Sequence, residues 1–326
     1  MLLAGIAAYR RHSWVRDLPD PPEVWHEGGS RMLDYGGAGA TMLVVPSLVN
    51  RAYVLDLMPG HSMLRWLAAH GVRPLLLDWG WPGELERPFT LTDYVAGRLE
   101  RALVAASGLA GGPVVLAGYC MGGTLAVAAA QRRPELVQAL ALLATPWDFH
   151  AANASQARLA SRLLPMLEPI MRMGGALSVD GLQMLFAMLD PAAVAEKFRA
   201  FAHLDQDSER ARLFVALEDW LNDGVPLAAP VARECLGGWY GVNSPAKGRW
   251  RIAGLAVDPR QLRIPTLVMA PGRDRIVPPE SARPLAGLIE GAILHEPPSG
   301  HIGMVAGLGA RQTLWETLRE WLGRVG

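Results

Sequence analysis

The stretch Pro113-Val-Val-Leu-Ala-Gly-Tyr-Cys-Met-Gly-Gly-Thr-Leu-Ala-Val-Ala-Ala-Ala-Gln-Arg-Arg133 decides how this chain is read. Pro113 to Ala117 is a short apolar run and predicts a buried strand. Met121 to Arg133 predicts a helix. Between them, Gly118-Tyr-Cys-Met-Gly122, followed by Gly123, has the spacing of a nucleophile on a sharp strand-to-helix turn, with Cys where Ser is usual. Glycines two before and two after the nucleophile let backbone pass closely at a strained turn. The helix beginning at Met121 sets a positive dipole end and free N–H groups beside the Cys120 sulfur, which favours the thiolate. The N–H of Met121 is the expected oxyanion donor. The bland alternative is a small core cysteine at a tight turn; the strand–turn–helix context favours the functional reading.

Working outward, the same alternation recurs. Ala40 to Pro46, Val72 to Trp79, Val137 to Ala144, Thr266 to Ala270 and Gly291 to Glu296 are further predicted strands. Helices are predicted from Ser62 to His70, from Thr90 to about Ser107, from Pro279 onward, and from Arg311 to Arg324. Thr90-Leu-Thr-Asp93 supplies capping chemistry at one of these starts. Strands alternating with helices imply an α/β fold with a mostly parallel sheet covered on both faces.

A nucleophile needs a base, and the base needs an orienting group. On such a sheet they follow in the order nucleophile, acid, His. Asp274 ends the loop after the strand Thr266 to Ala270, and His301 lies in Ser299-Gly-His-Ile-Gly303 after the next strand. Each alone has an ordinary reading as a cap, ion-pair partner or solvated loop residue. Their joint order makes Cys120, Asp274 and His301 the expected triad. His295 is the nearby competitor; His150 and His203 fall in another segment. The second oxyanion donor is expected from the loop after the first core strand, at Val49 with Leu48 close behind. Asn50 and Arg51 there read equally as loop-fixing residues. Leu48, Asn50, Tyr119 and Trp147 are further candidates for substrate contact. No H-x-x-x-H or C-x-x-C pair occurs, so no metal is expected.

The interval 147–250 reads as helices without a clear strand. It holds five of the six Phe, four of the eleven Trp and the methionines 166, 171, 173, 184 and 188. Most of these side chains are expected to form a local core, and some to face a cleft that takes an apolar group. The expected organisation is a core of residues 1–146 and 251–326 and a helical cap or lid of 147–250.

Composition narrows the function classes. The chain has 326 residues, 51% hydrophobic and 19% charged, which excludes a disordered chain. Lys+Arg and Asp+Glu are both 31, giving zero formal net charge. That argues against nucleic-acid binding and against a polybasic membrane anchor. Two cysteines exclude a disulfide scaffold. The opening MLLAGIAAYRRH lacks basic residues before its apolar run, so it reads as an N-terminal helix of a cytoplasmic protein. The uncharged stretch of 102–131 holds breakers at 111–113, 118 and 122–123, and so is not read as a membrane span.

Several motifs together resemble the polyhydroxyalkanoate synthases of the α/β-hydrolase superfamily, chiefly the short class III type. They are Pro46-Ser-Leu-Val-Asn-Arg-Ala-Tyr-Val-Leu-Asp-Leu57, Leu76-Leu-Asp-Trp-Gly-Trp-Pro82, Thr90-Leu-Thr-Asp-Tyr94, Gly118-Tyr-Cys-Met-Gly-Gly123, Thr145-Pro-Trp-Asp-Phe149, Asp274-Arg-Ile-Val-Pro278 and Ser299-Gly-His-Ile302. The resemblance covers about residues 25–320 and is weakest across 147–250. The elbow alone also looks like dienelactone hydrolases, which lack so large a cap. The resemblance implies an α/β-hydrolase fold with a mobile cap. It implies that Cys120 carries a 3-hydroxyacyl group taken from coenzyme A and that His301 is the general base. Asp274 would orient His301 or help activate the incoming hydroxyl. No cofactor is implied, since the coenzyme A thioester is substrate. Implied partners are a polymer granule surface and a homodimer or second subunit.

Three functions are weighed. The first is acyl transfer that polymerises 3-hydroxyacyl groups into polyhydroxyalkanoate. The second is a Cys-dependent hydrolase of an ester or thioester, such as a depolymerase, thioesterase or dienelactone hydrolase-like enzyme. The third is a non-catalytic granule protein, against which an intact triad weighs.

Overall fold

A computed structural model describes residues 1–188 and 193–325 of the chain. Its centre is an eight-stranded sheet. The strands are β1 (Glu23–Glu27), β2 (Ser30–Asp34), β3 (Ala40–Val45), β4 (Val72–Asp78), β5 (Val114–Tyr119), β6 (Val137–Leu143), β7 (Thr266–Met269) and β8 (Ile293–His295). Their spatial order is β1-β2-β4-β3-β5-β6-β7-β8. The six strands from β4 to β8 pair in parallel. The apolar runs become strands buried on both faces; every residue of β5 is buried.

The β1–β2 hairpin is not among the sequence expectations. It adds to β4 antiparallel. Its signal is present: Gly28-Gly29 separates two short, roughly alternating runs, and Gly28 takes φ +57°. A buried guanidinium then fixes the hairpin. Arg98 bonds Glu27 at 3.1 Å, Ser30 Oγ at 2.8 Å and Glu86 at 3.0 Å.

The flanking helices include α1 (Leu2–Arg11), α2 (Met63–Ala69), α3 (Glu100–Ala110) and α4 (Met121–Arg132). Ser62 caps α2 by accepting from Arg65 N–H, and Gly111 ends α3 in the left-handed conformation. The helix read from Thr90 onward includes a π-helical turn, Asp93–Leu99, before α3. In α4 the residues from Met121 to Ala130 are all buried. Their small side chains let this helix lie close against the sheet.

Between β6 and β7 lie α5 (Ala154–Arg162), α6 (Leu164–Gly174), α7 (Val179–Ala187), α8 (Ala193–Phe201), α9 (Glu209–Asn222) and α10 (Ala229–Arg233). A π-helical segment, Glu234–Gly241, follows. The segment is helical, as read, apart from one short pairing. Ala176–Leu177 and Leu227–Ala228 pair as a two-residue antiparallel ribbon. Such a short pairing leaves no periodic signal in the sequence. The chain closes with α11 (Pro279–Leu288), α12 (His301–Ala306) and α13 (Glu316–Val325).

Candidate active site

Cys120 sits at the carboxyl end of β5 with φ 55° and ψ −129°. An L-residue holds this strained backbone only where its surroundings over-determine it. Cys120 N–H donates to Leu143 O at 2.8 Å, and Gly123 N–H donates to Cys120 O at 2.9 Å. The three glycines act as contact points. A Cβ at Gly118 would strike the Gly123 backbone, one at Gly122 the carbonyls of Val45 and Pro46, and one at Gly123 the Thr145 side chain. Met121 is the first residue of α4, where amide N–H groups have no partner within the helix.

The carboxyl ends of β7 and β8 deliver the other two groups. Asp274 Oδ1 accepts from the N–H groups of Ile276 and Val277, both at 2.8 Å. Its Oδ2 lies 2.6 Å from His301 Nδ1. Both residues are buried. The His301 ring also lies close enough to the Cys120 side chain for the two to interact electrostatically. Tyr119 Oη donates to His301 O at 3.2 Å, with the two rings 5.1 Å apart. Burial opposes the charged imidazole, but the Cys120 charge and the Asp274 hydrogen bond outweigh it and push His301 up to about 10. His295 closes β8 in register with Met269, and no bond between it and Asp274 is found among the described residues.

Cys120 opens into an apolar cavity. Phe149, Leu182, Leu185, Phe186, Leu236, Trp239 and Tyr240 wall it, together with Ser47, Val49, Met121 and Cys235. The helices between β6 and β7 therefore form most of the wall facing the nucleophile. A more polar pocket adjoins it, shares Phe149 and Tyr240 among others, and is lined by Asn153, Gln156 and Arg275 as well.

Some expected contacts fall elsewhere. Trp147 is 1% exposed, packs edge-on against Trp250 at 6.3 Å and does not line the cavity. Phe149, two residues on, takes the place expected for it. Leu48 is core, and Asn50, at φ 67°, shapes the loop without lining the cavity. Tyr119 lies behind His301 rather than in the cavity wall. Val49 does line it, but its N–H donates to Ser47 Oγ at 3.0 Å. To receive an oxyanion it would have to exchange that partner. Arg51 is a loop anchor: its carbonyl accepts from Trp220 Nε1 at 2.7 Å. Cys235, Trp239 and Tyr240 carry no sequence signal for this role, because their place in the wall depends on how a distant segment folds back. Burial pushes the Cys235 thiol well up. Among the described residues no cluster of three His, Cys, Asp or Glu could hold a metal, and no helix is long and apolar enough to cross a membrane.

The model of the alpha/beta hydrolase family matches residues 42–308. The chain is 30% identical over 308 residues to the poly(3-hydroxyalkanoate) polymerase subunit PhaC of Haloferax mediterranei, covering 91% of this chain and 62% of that protein. It is 28% identical to the subunit of the same name from Allochromatium vinosum, covering 86% and 80%. The chain thus spans about three fifths of the length of the first curated relatives it matches. The resemblance read from the motifs is borne out by these similarities. A thermophilic esterase from Thermogutta terrifontis superposes with a TM-score of 0.54 at 19% identity, covering 91% of this chain and 93% of that one. A thioesterase domain from the curacin biosynthetic pathway also gives 0.54, at 15% identity, covering 92% and 98%. At such identities these two speak for the fold alone.

Proposed function

The chain belongs to the alpha/beta hydrolase family, and from that premise we propose that it is a cysteine acyltransferase that polymerises 3-hydroxyacyl groups from coenzyme A thioesters. The observation that carries this is Cys120, strained on its elbow and backed by His301 and Asp274, at an apolar cavity walled by the helices of residues 147–250. The curated relatives support it through their name.

His301 is held as the imidazolium by Asp274, beside Cys120, and the thiolate is the form in which a cysteine attacks. The Cys120 sulfur attacks the thioester carbonyl, and its new C–S bond replaces the bond to coenzyme A. The Met121 N–H, at the first position of α4, is assigned the role of donor to the carbonyl oxygen as it gains charge. The departing thiolate takes the proton from His301. Acylation removes the charge on Cys120, so a leading cause of the high His301 pKa disappears. A neutral His301 can then take the proton of an incoming hydroxyl, whose oxygen forms the ester as the Cys120 sulfur leaves. Ion-pair chemistry thus serves the first half-reaction as acid and the second as base.

The apolar wall suits an acyl chain and disfavours water, which favours transfer over hydrolysis. The segment 147–250 is proposed as a cap over this cavity, and granule association in the cytoplasm as its setting. The test is incubation with 3-hydroxybutyryl-CoA, following coenzyme A release and product. Insoluble polymer is expected. Free 3-hydroxy acid without polymer would assign the same residues to a hydrolase.

A further inference from the structure

Besides Ser47, whose Oγ already accepts from Val49 N–H, two polar side chains stand out in the apolar wall, and they are adjacent in sequence. Trp239 and Tyr240 both line the cavity, on the π-helical segment Glu234–Gly241. Cys235 and Leu236 precede them by four residues and line it too. The wider turn of a π-helix suits this spacing, and such turns recur at functional sites.

Four tryptophan N–H groups in this chain find an acceptor, whereas those of Trp66, remote from the cavity, and Trp239 have none among the described residues. Trp250 donates to Glu234, Trp79 to Pro46 O, Trp220 to Arg51 O and Trp315 to Val305 O, at 2.7–3.0 Å. Trp239 is 2% exposed, and its Nε1 has no hydrogen-bond partner among the described residues. An unmatched buried donor costs enough that it calls for an explanation. Phe149 lies tilted against it and Trp250 edge-to-face, at ring separations of 5.4 and 5.2 Å, so these neighbours offer at most a weak ring-face contact and no oxygen or nitrogen acceptor. The Tyr240 ring packs edge-on to Phe149 at 5.0 Å. No hydrogen bond to its hydroxyl is found among the described residues. Burial and the nearby Cys120 and Cys235 hold that hydroxyl well above its ordinary range, so it stays protonated. It thus lies within electrostatic reach of the reacting sulfur.

We propose that Trp239 Nε1 and Tyr240 Oη form the polar subsite that recognises the C3 oxygen of the acyl group, so that these two residues distinguish 3-hydroxyacyl from plain acyl chains. The chemistry is complementary. An indole only donates, a phenol donates and accepts, and an alcohol needs both kinds of partner. In an otherwise apolar wall, a substrate without that oxygen leaves both donors unmatched, the arrangement that gives the strongest discrimination. The residues are positioning groups; neither takes part in bond making.

The inference rests on the proposed acyl-thioester reading, and the test separates the two. Wild type, Trp239→Phe and Tyr240→Phe are each given 3-hydroxybutyryl-CoA and butyryl-CoA, and the first turnover of coenzyme A release is timed. Wild type should prefer the hydroxyacyl thioester. Each variant should lose roughly tenfold of that preference. Comparing two substrates on one protein cancels any loss of folded enzyme, and Tyr240→Phe removes a single oxygen. A wild type without preference, or variants that keep it, overturns the proposal. If wild type releases coenzyme A from neither thioester, the acyl-CoA reading fails. The same comparison with p-nitrophenyl 3-hydroxybutyrate and p-nitrophenyl butyrate then decides the subsite. No preference there, or no reaction, overturns it as well.

Discussion

His301 Nδ1 stands 2.6 Å from Asp274 Oδ2, with both side chains buried at the ends of adjacent strands. The bond fixes which imidazole nitrogen faces the acid and leaves the other for Cys120. His301→Gln should slow acyl transfer on the order of 10²–10⁴-fold, the range for losing general acid–base help. A fall below tenfold would move the role to His295.

The same pair predicts a pH dependence of stability. The folded imidazole titrates near 10 against an ordinary value of 6.5. A group raised on folding stabilises fully below its unfolded pKa, and that contribution is lost as pH rises through the folded value. Wild type should therefore exceed His301→Gln in thermal stability most at about pH 6, with the gap closing toward pH 10. Melting curves of both proteins across that range check it. A gap that widens with pH would reverse the assignment.

Cys120→Ala should abolish acyl transfer, and Cys120→Ser should keep weak activity at most. Iodoacetamide should label Cys120 ahead of Cys235, because Cys235 is buried and its thiol is pushed well up. Peptide mapping after brief alkylation reads this directly. Preferential modification of Cys235, or full activity in Cys120→Ala, would displace the nucleophile.

Gly123→Ala would drive a methyl into Thr145, and Gly118→Ala would drive one into the Gly123 backbone. Neither neighbour is a flexible chain end. Each variant should lose about 1–3 kcal/mol or more, the usual cost of overpacking. Gly108→Ala, with nothing within reach of its Cβ, is the control. Urea unfolding of the three variants should separate them in that order.

The helices of 147–250 should be cut before the sheet in limited proteolysis, and a non-hydrolysable acyl-CoA analogue should slow the cutting. Large apolar side chains there stand exposed, Met173 at 89% and Met166 at 60%. A cap that opens for a charged coenzyme A and closes on an acyl chain needs such low local stability. Equal protease resistance of cap and sheet, with and without analogue, would mean a permanent channel.

By itself the sequence determined what short-range geometry controls. Buried parallel strands are continuous apolar runs, and a nucleophile on a sharp turn needs glycines at fixed offsets. The six parallel strands, the elbow and the strand-end positions of Asp274 and His301 were therefore legible, but not the β1–β2 hairpin. The tertiary structure decided what depends on how remote segments meet. Trp147 and Phe149 lie two residues apart, yet only Phe149 lines the cavity, because Trp147 is held by Trp250 far along the chain. Val49 stands in the expected loop, but Ser47 Oγ occupies its N–H. Trp239 and Tyr240 read as ordinary core aromatics until a π-helical turn brings them into the wall facing Cys120. Which side chain reaches a cavity is set by the docking of whole elements, and no local pattern of residue types encodes it.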